Sequence, residues 1–166
     1  MSVRPIVLFP DPRLRSAASP VTAFDDALRT LAADLVETMR DAGGIGITAP
    51  HIGIATRLVV LELARAEGPM IYVNPQIVWA SDEMIRQAEG SVSMPGVTAE
   101  IERPARVRLR YQDLDGVAQI EEAEGLRALC HQHEIDQLDG IFWIQRLSAL
   151  KRDQLVRRYQ KLRRPK

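Results

Sequence analysis

The sequence predicts an α+β fold: one compact domain with short strands through the middle and helices near both ends. Three observations carry that expectation. Apolar residues recur at helical spacing near residue 30 and again after residue 148. Between them, β-branched or alternating apolar stretches are cut by turn dipeptides. A further helical stretch, about Gly125 to Leu138, stands between the strands and the last helix, in the centre of the expected fold. The 166 residues suit a single domain, 1–166, and are too few for two comfortable ones.

Taken in order, Thr22 is a plausible cap for a first helix carrying Leu28, Leu31, Leu35 and Met39, which should stop at Gly43–Gly44. "RLVVLEL" (57–63), "MIYV" (70–73) and "RVRLRY" (106–111) read as strands. Pro69, Asn74–Pro75, Pro95–Gly96 and Asp115–Gly116 punctuate them as turns. The second helix should end near Gly140. Ser148 can cap a third, whose Leu155, Tyr159 and Leu162 form an apolar stripe.

Composition narrows the class. Apolar content of 46% and charged content of 27% belong to a globular protein, and no apolar run approaches the ~20 residues of a membrane span. The first residues, "MSVRPIVLFPDPRLR", lack the blocks of a signal peptide, so a cytoplasmic location is expected. A single cysteine, Cys130, excludes an internal disulfide framework. The net charge of zero hides a polarity: residues 151–166 hold eight Lys or Arg against one Asp, a net of +7, which leaves −7 on the rest. Such a segment is either a solvated helix face with a frayed tail or a handle for RNA or another polyanion.

Three segments carry chemistry. "HEIDQ" (133–137) is the zinc-hydrolase helix signature with Gln137 where its second His should be. "GIGITAPHIG" (44–53) has a glycine, Gly46, that admits close backbone approach, but it lacks the Lys of a phosphate-binding loop. Alone, it reads as a turn into a strand. "EGSVSMPG" (89–96) suggests a stiff loop. Ser91 and Ser93 do not sit in a nucleophile elbow, because Glu89 and Ser93 fall where its glycines belong.

In order, these segments resemble the three signature motifs of the peptide deformylases: G-x-G-x-A-A-P-Q, E-G-C-x-S and H-E-x-D-H. "FPDPRLR", "NPQI" (74–77), "RPARVRLRY" (103–111) and "RLSALKRDQL" (146–155) extend the resemblance over nearly the whole chain. It implies removal of the formyl group from N-terminal formyl-methionine of new bacterial polypeptides. The family uses Fe2+ or Zn2+ held by the Cys of the second motif and both His of the third. Carried over, His133 is the retained metal ligand, Glu134 the catalytic acid/base, and Asp136 a residue that orients its surroundings. Gly46, His51 and Val92 fall at the substrate and oxyanion positions. N-terminal formyl-methionyl peptides are the implied ligand, and the ribosome is the implied partner of the basic C-terminal helix, with no membrane and no specific DNA.

The departures fall on the chemistry. Ser91 replaces the Cys ligand, Gln137 the second His and His51 the oxyanion Gln; Thr48 replaces an Ala. A serine hydroxyl stays neutral near pH 7 and binds zinc or iron poorly, and an amide oxygen is a weaker donor than imidazole. The expectation is that no metal is bound and activity is impaired or lost. A rebuilt site from His51, His133 and Cys130 or Glu89 is the alternative. Against it, Cys130 reads as a small core residue, and His51 as a hydrogen-bonding pocket residue with Ser91 or Gln137 as its partner. His131 points elsewhere, roughly 160° round the helix from His133.

Overall fold

The computed structural model describes residues 2–165. A five-stranded antiparallel sheet runs in the order β1-β2-β3-β6-β7: β1 (Gly46–Thr48), β2 (Leu58–Leu61), β3 (Met70–Ala80), β6 (Arg106–Gln112) and β7 (Ala118–Glu124). A separate hairpin pairs β4 (Met84–Ser91) with β5 (Met94–Pro104). Three helices complete the α+β arrangement: α1 (Asp26–Asp41), α2 (Gly125–Leu138) and α3 (Ala149–Leu162).

Side-chain pattern explains the layers. All four residues of β2 are buried, because α1 covers one face of the strand and α2 the other. Leu28, Leu35 and Met39 of α1 pack on Leu58, Val60 and Val73. On the opposite face, Ala128 and Leu138 of α2 meet Val59, Leu61, Tyr72, Val107 and Leu109. β6 alternates: Val107 and Leu109 face that core, while Arg106 and Arg108 stand opposite Glu124 and Glu122 of β7. α3 packs on β5, burying Leu155 and Tyr159 with Val97, Ile101 and Phe142.

Several expectations need correction. The cap of α1 is Asp25, not Thr22; its carboxylate accepts the Leu28 N–H at 3.0 Å. Asn74–Pro75 is not a turn between strands but a bulge inside β3. Asn74 takes φ +51 and its amide bonds Val21 and Gln112, so turn chemistry serves to bend a continuing strand. The stiff loop expected at 89–96 is the tip of the β4–β5 hairpin, where Ser91 pairs with Met94. Strand β7 was also not anticipated; its acidic residues mask the pattern. Leu162 is 60% exposed and leaves the expected stripe to Leu155 and Tyr159. Ser148 does cap α3, accepting the Lys151 N–H.

Candidate functional site

Helix α2 is buried along most of its length against the sheet, and this presses polar side chains into the interior. His133 and Glu134 project into a cleft of about 700 Å³ beneath β1 and the hairpin tip. Gly46, His51, Ser91, Val92, His133 and Glu134, distant in sequence, all line it, with Glu89 and Cys130. Gln137 is not among the lining residues: its Nε2 donates to the Leu14 carbonyl at 2.7 Å.

Gly46 is required by space. A Cβ there would stand 2.9 Å from Leu61 Cδ2 and 3.3 Å from Glu134 Cδ, so the bare backbone lets Glu134 lie against β1. Glu134 is 4% exposed, and its Oε2 has no partner among the described residues. Burial pushes its carboxyl up to about 7, against a smaller opposing pull from His133. Its Oε1 lies 3.5 Å from His133 Nε2.

A polar chain holds His133 from behind. His133 Nδ1 donates to Glu89 Oε1 at 2.9 Å, which leaves Nε2 facing the cleft. Burial works to lower the His133 pKa, but the Glu89 hydrogen bond and the Glu134 and Glu89 charges raise it overall. Glu89 also accepts two bonds from Arg103, at 2.6 and 3.0 Å. Burial alone would raise its carboxyl; His133 and Arg103 outweigh that and hold it below the usual range. Arg103 reaches on to Asp136 at 2.9 Å, and Asp136 accepts two bonds from Arg146. Asp136 thus joins Arg103 to Arg146 behind the cleft. The sequence reading missed Arg103 and Arg146. The alternation Ile101, Arg103, Ala105, all buried, placed Arg103 on the inward face of its strand and was the available signal.

His51 bonds neither Ser91 nor Gln137. Its Nδ1 accepts the Thr48 backbone N–H at 2.9 Å, and burial, helped by repulsion from His133, lowers its pKa to about 3. The Ser91 hydroxyl accepts the Ser93 N–H at 3.1 Å. Cys130 borders the cleft, but burial, with Glu134 and Glu89 nearby, pushes its thiol up to about 12, so it stays protonated. His131 bonds Glu121 and packs edge-on against Tyr72, away from the cleft. Among the described residues, no group of three or more His, Cys, Asp or Glu is arranged to hold a metal ion. No helix described is long and apolar enough to cross a membrane.

Comparison with known proteins places this geometry. The polypeptide deformylase family profile matches residues 3–153. A peptide deformylase-like protein of Brucella suis biovar 1 is 70% identical over 164 residues, covering 99% of this chain and 100% of that protein. A peptide deformylase of the same strain is 47% identical over 165 residues, covering 98% and 94%. The crystal structure of a peptide deformylase from Legionella pneumophila superposes with a TM-score of 0.93 at 37% identity, over 99% of this chain and 100% of that one.

Proposed function

The chain belongs to the peptide deformylase family, and we propose that it keeps the family's cleft for N-terminal formyl-methionyl peptides while metal-dependent deformylation is impaired or lost. The family implies Fe2+ or Zn2+, and the residues present do not fit that metal. The observation that carries the reading is the state of the donors. A catalytic zinc site usually has three protein ligands and an open position. Here His133 Nε2 is the one strong nitrogen donor at its family position. Ser91 offers a neutral hydroxyl already accepting the Ser93 N–H, and the Gln137 amide is turned to the Leu14 carbonyl. Cys130 borders the cleft but, among the described residues, joins no group of three or more His, Cys, Asp or Glu that could hold a metal ion.

What remains is a binding cleft. Gly46 lets Glu134 lie against β1, Glu134 offers the cleft an Oε2 with no partner among the described residues, and Ile45, Val92 and Leu126 supply apolar wall. Titration calorimetry with formyl-Met-Ala, read beside formate release, tests this. Binding with no formate above the buffer rate is expected; sustained turnover would overturn the reading. Turnover would favour the second one, an active amide hydrolase with a rebuilt site, for which the buried Glu134 carboxyl near 7 is the supporting observation.

The basic face of α3 is proposed to meet a polyanion, with the ribosome as partner. Leu155 and Tyr159 anchor the helix while Arg157, Arg158 and Lys161 face solvent. Deleting the helix would remove core residues. The test is therefore ribosome co-sedimentation of a triple Glu variant at these three positions, at low and high salt. Equal sedimentation with wild type leaves the face a solubilising surface.

A further inference from the structure

Strands β6 and β7 turn one face to α2 and the other to solvent. Val107 and Leu109 point into the core, so Arg106, Arg108 and Arg110 form a row on the outer face. Register sets a second row beside it: Arg106 stands opposite Glu124, Arg108 opposite Glu122 and Arg110 opposite Ile120. On the other flank, Trp79 of β3 pairs with Arg108, whose guanidinium lies 5.8 Å from the ring centre. Helix α1 covers this side of the sheet at Leu58, Val60 and Val73 and leaves the far end open, with Trp79 46% and Ile120 69% exposed.

The charges are paired within the chain but not used up. Arg108 Nε and Nη2 both donate to Glu122 Oε1, at 3.0 and 2.8 Å, which leaves Glu122 Oε2 and Arg108 Nη1 without a partner among the described residues. The two rows decide what can cover this face. Neighbouring strands lie about 4.8 Å apart, so a polyanion seated on the arginines also meets Glu122 and Glu124, and a basic partner on the glutamates also meets the arginines. A second copy of the same face meets neither conflict. A two-fold axis between β6 and β7, parallel to them, brings Arg106 over the partner's Glu124, Arg108 over the partner's Glu122 and Arg110 over the partner's Ile120, each contact made twice. Trp79 then lies beside the outer edge of the second copy's β7, the last strand of its sheet.

We propose that the outer face of β3, β6 and β7 is a self-association surface that joins two copies of this chain about a two-fold axis. Strands of about seven residues, three abreast, give a footprint on the order of 350 Å², below the ~800 Å² per partner of a stable complex, so the dimer is weak and concentration-dependent. It leaves both clefts open, since β1 and β7 are opposite edges of the sheet.

Sedimentation velocity of the full chain between about 2 and 200 µM tests it. Wild type should pass from monomer toward dimer over that range while Trp79 emission moves to the blue; Trp143, already buried, contributes no change. Arg108→Glu and Glu122→Arg alter exposed side chains and should each stay monomeric at the top of the range. Mixed in equal amounts, the two variants should form a heterodimer, because the central pair is then acidic in one chain and basic in the other. The double variant, which exchanges the two charges within one chain, should dimerise like wild type. A monomeric wild type at about 200 µM overturns the proposal. So does a single variant that dimerises as wild type does, or a mixture or double variant that stays monomeric. Single-stranded RNA that binds wild type and is lost in Arg108→Glu overturns it in favour of a polyanion on the arginine row.

Discussion

Replacing Arg103 with Met removes the one cation that joins Glu89 to Asp136. The Arg103 side chain is 4% exposed, with contacts of 2.6 and 3.0 Å to Glu89 and 2.9 Å to Asp136. Removing one partner of a buried ion pair costs about 3–5 kcal/mol, because the remaining charge loses its compensation. Glu89 keeps His133 and Asp136 keeps Arg146, so the lower end, about 3 kcal/mol, is expected at pH 7. The deficit should depend on pH. The folded Glu89 pKa is depressed below the ordinary glutamate value of 4.5, so its ionisation contributes stability that is fully present above that value. That contribution is lost as pH falls through the lowered folded pKa. Arg103→Met weakens it, so the gap between variant and wild type should narrow on acidification through that window. Urea unfolding followed by circular dichroism at neutral and acid pH measures this. A neutral-pH deficit below about 1 kcal/mol, or one that does not shrink in acid, would refute the reasoning.

Gly46→Ala sets a methyl against Leu61 and Glu134 and should destabilise by about 1–3 kcal/mol, with weakened peptide binding; unfolding and calorimetry on one sample read both. Glu134→Gln should gain stability relative to wild type as pH rises from 4.5 through about 7. A carboxyl with a raised folded pKa loses stability over that window, by on the order of 3 kcal/mol, and Gln does not. A pH-independent difference in melting temperature would contradict this. Ser91→Cys alone should not restore formate release, since it provides one thiolate and one imidazole; with Gln137→His the protein should take up zinc, measured by competition with a chelating dye. Substantial turnover by the single variant would show Gln137 to be an adequate ligand.

Helix α2 was legible in the sequence because glycines bracket it and its motif has a known register. Capping at Ser148 and the Asp115–Gly116 turn were legible for the same local reason. The β4–β5 hairpin was not, because "MIRQAEGS" is mostly polar and the turn residues Pro95 and Gly96 lie inside β5, directly after its first residue Met94. Asn74–Pro75 misled because turn residues also build bulges. At the site, the cleft residues were found through their motifs. The partner of His51 was its near neighbour Thr48, whose backbone N–H donates to the ring three residues on, a local contact usually looked for at Glu or Gln. The orientation of Gln137 was beyond any local reading, since its acceptor Leu14 lies 123 residues away.

The central claim is that this cleft lacks the donors to hold the family's metal, and elemental analysis of protein purified without chelator tests it most directly. Ser91, Gln137 and the N–H face of His51 lead to the prediction of well under one equivalent of zinc, iron and nickel together. Near-stoichiometric metal that disappears in His133→Ala would contradict the account and assign the cleft to a working metal centre.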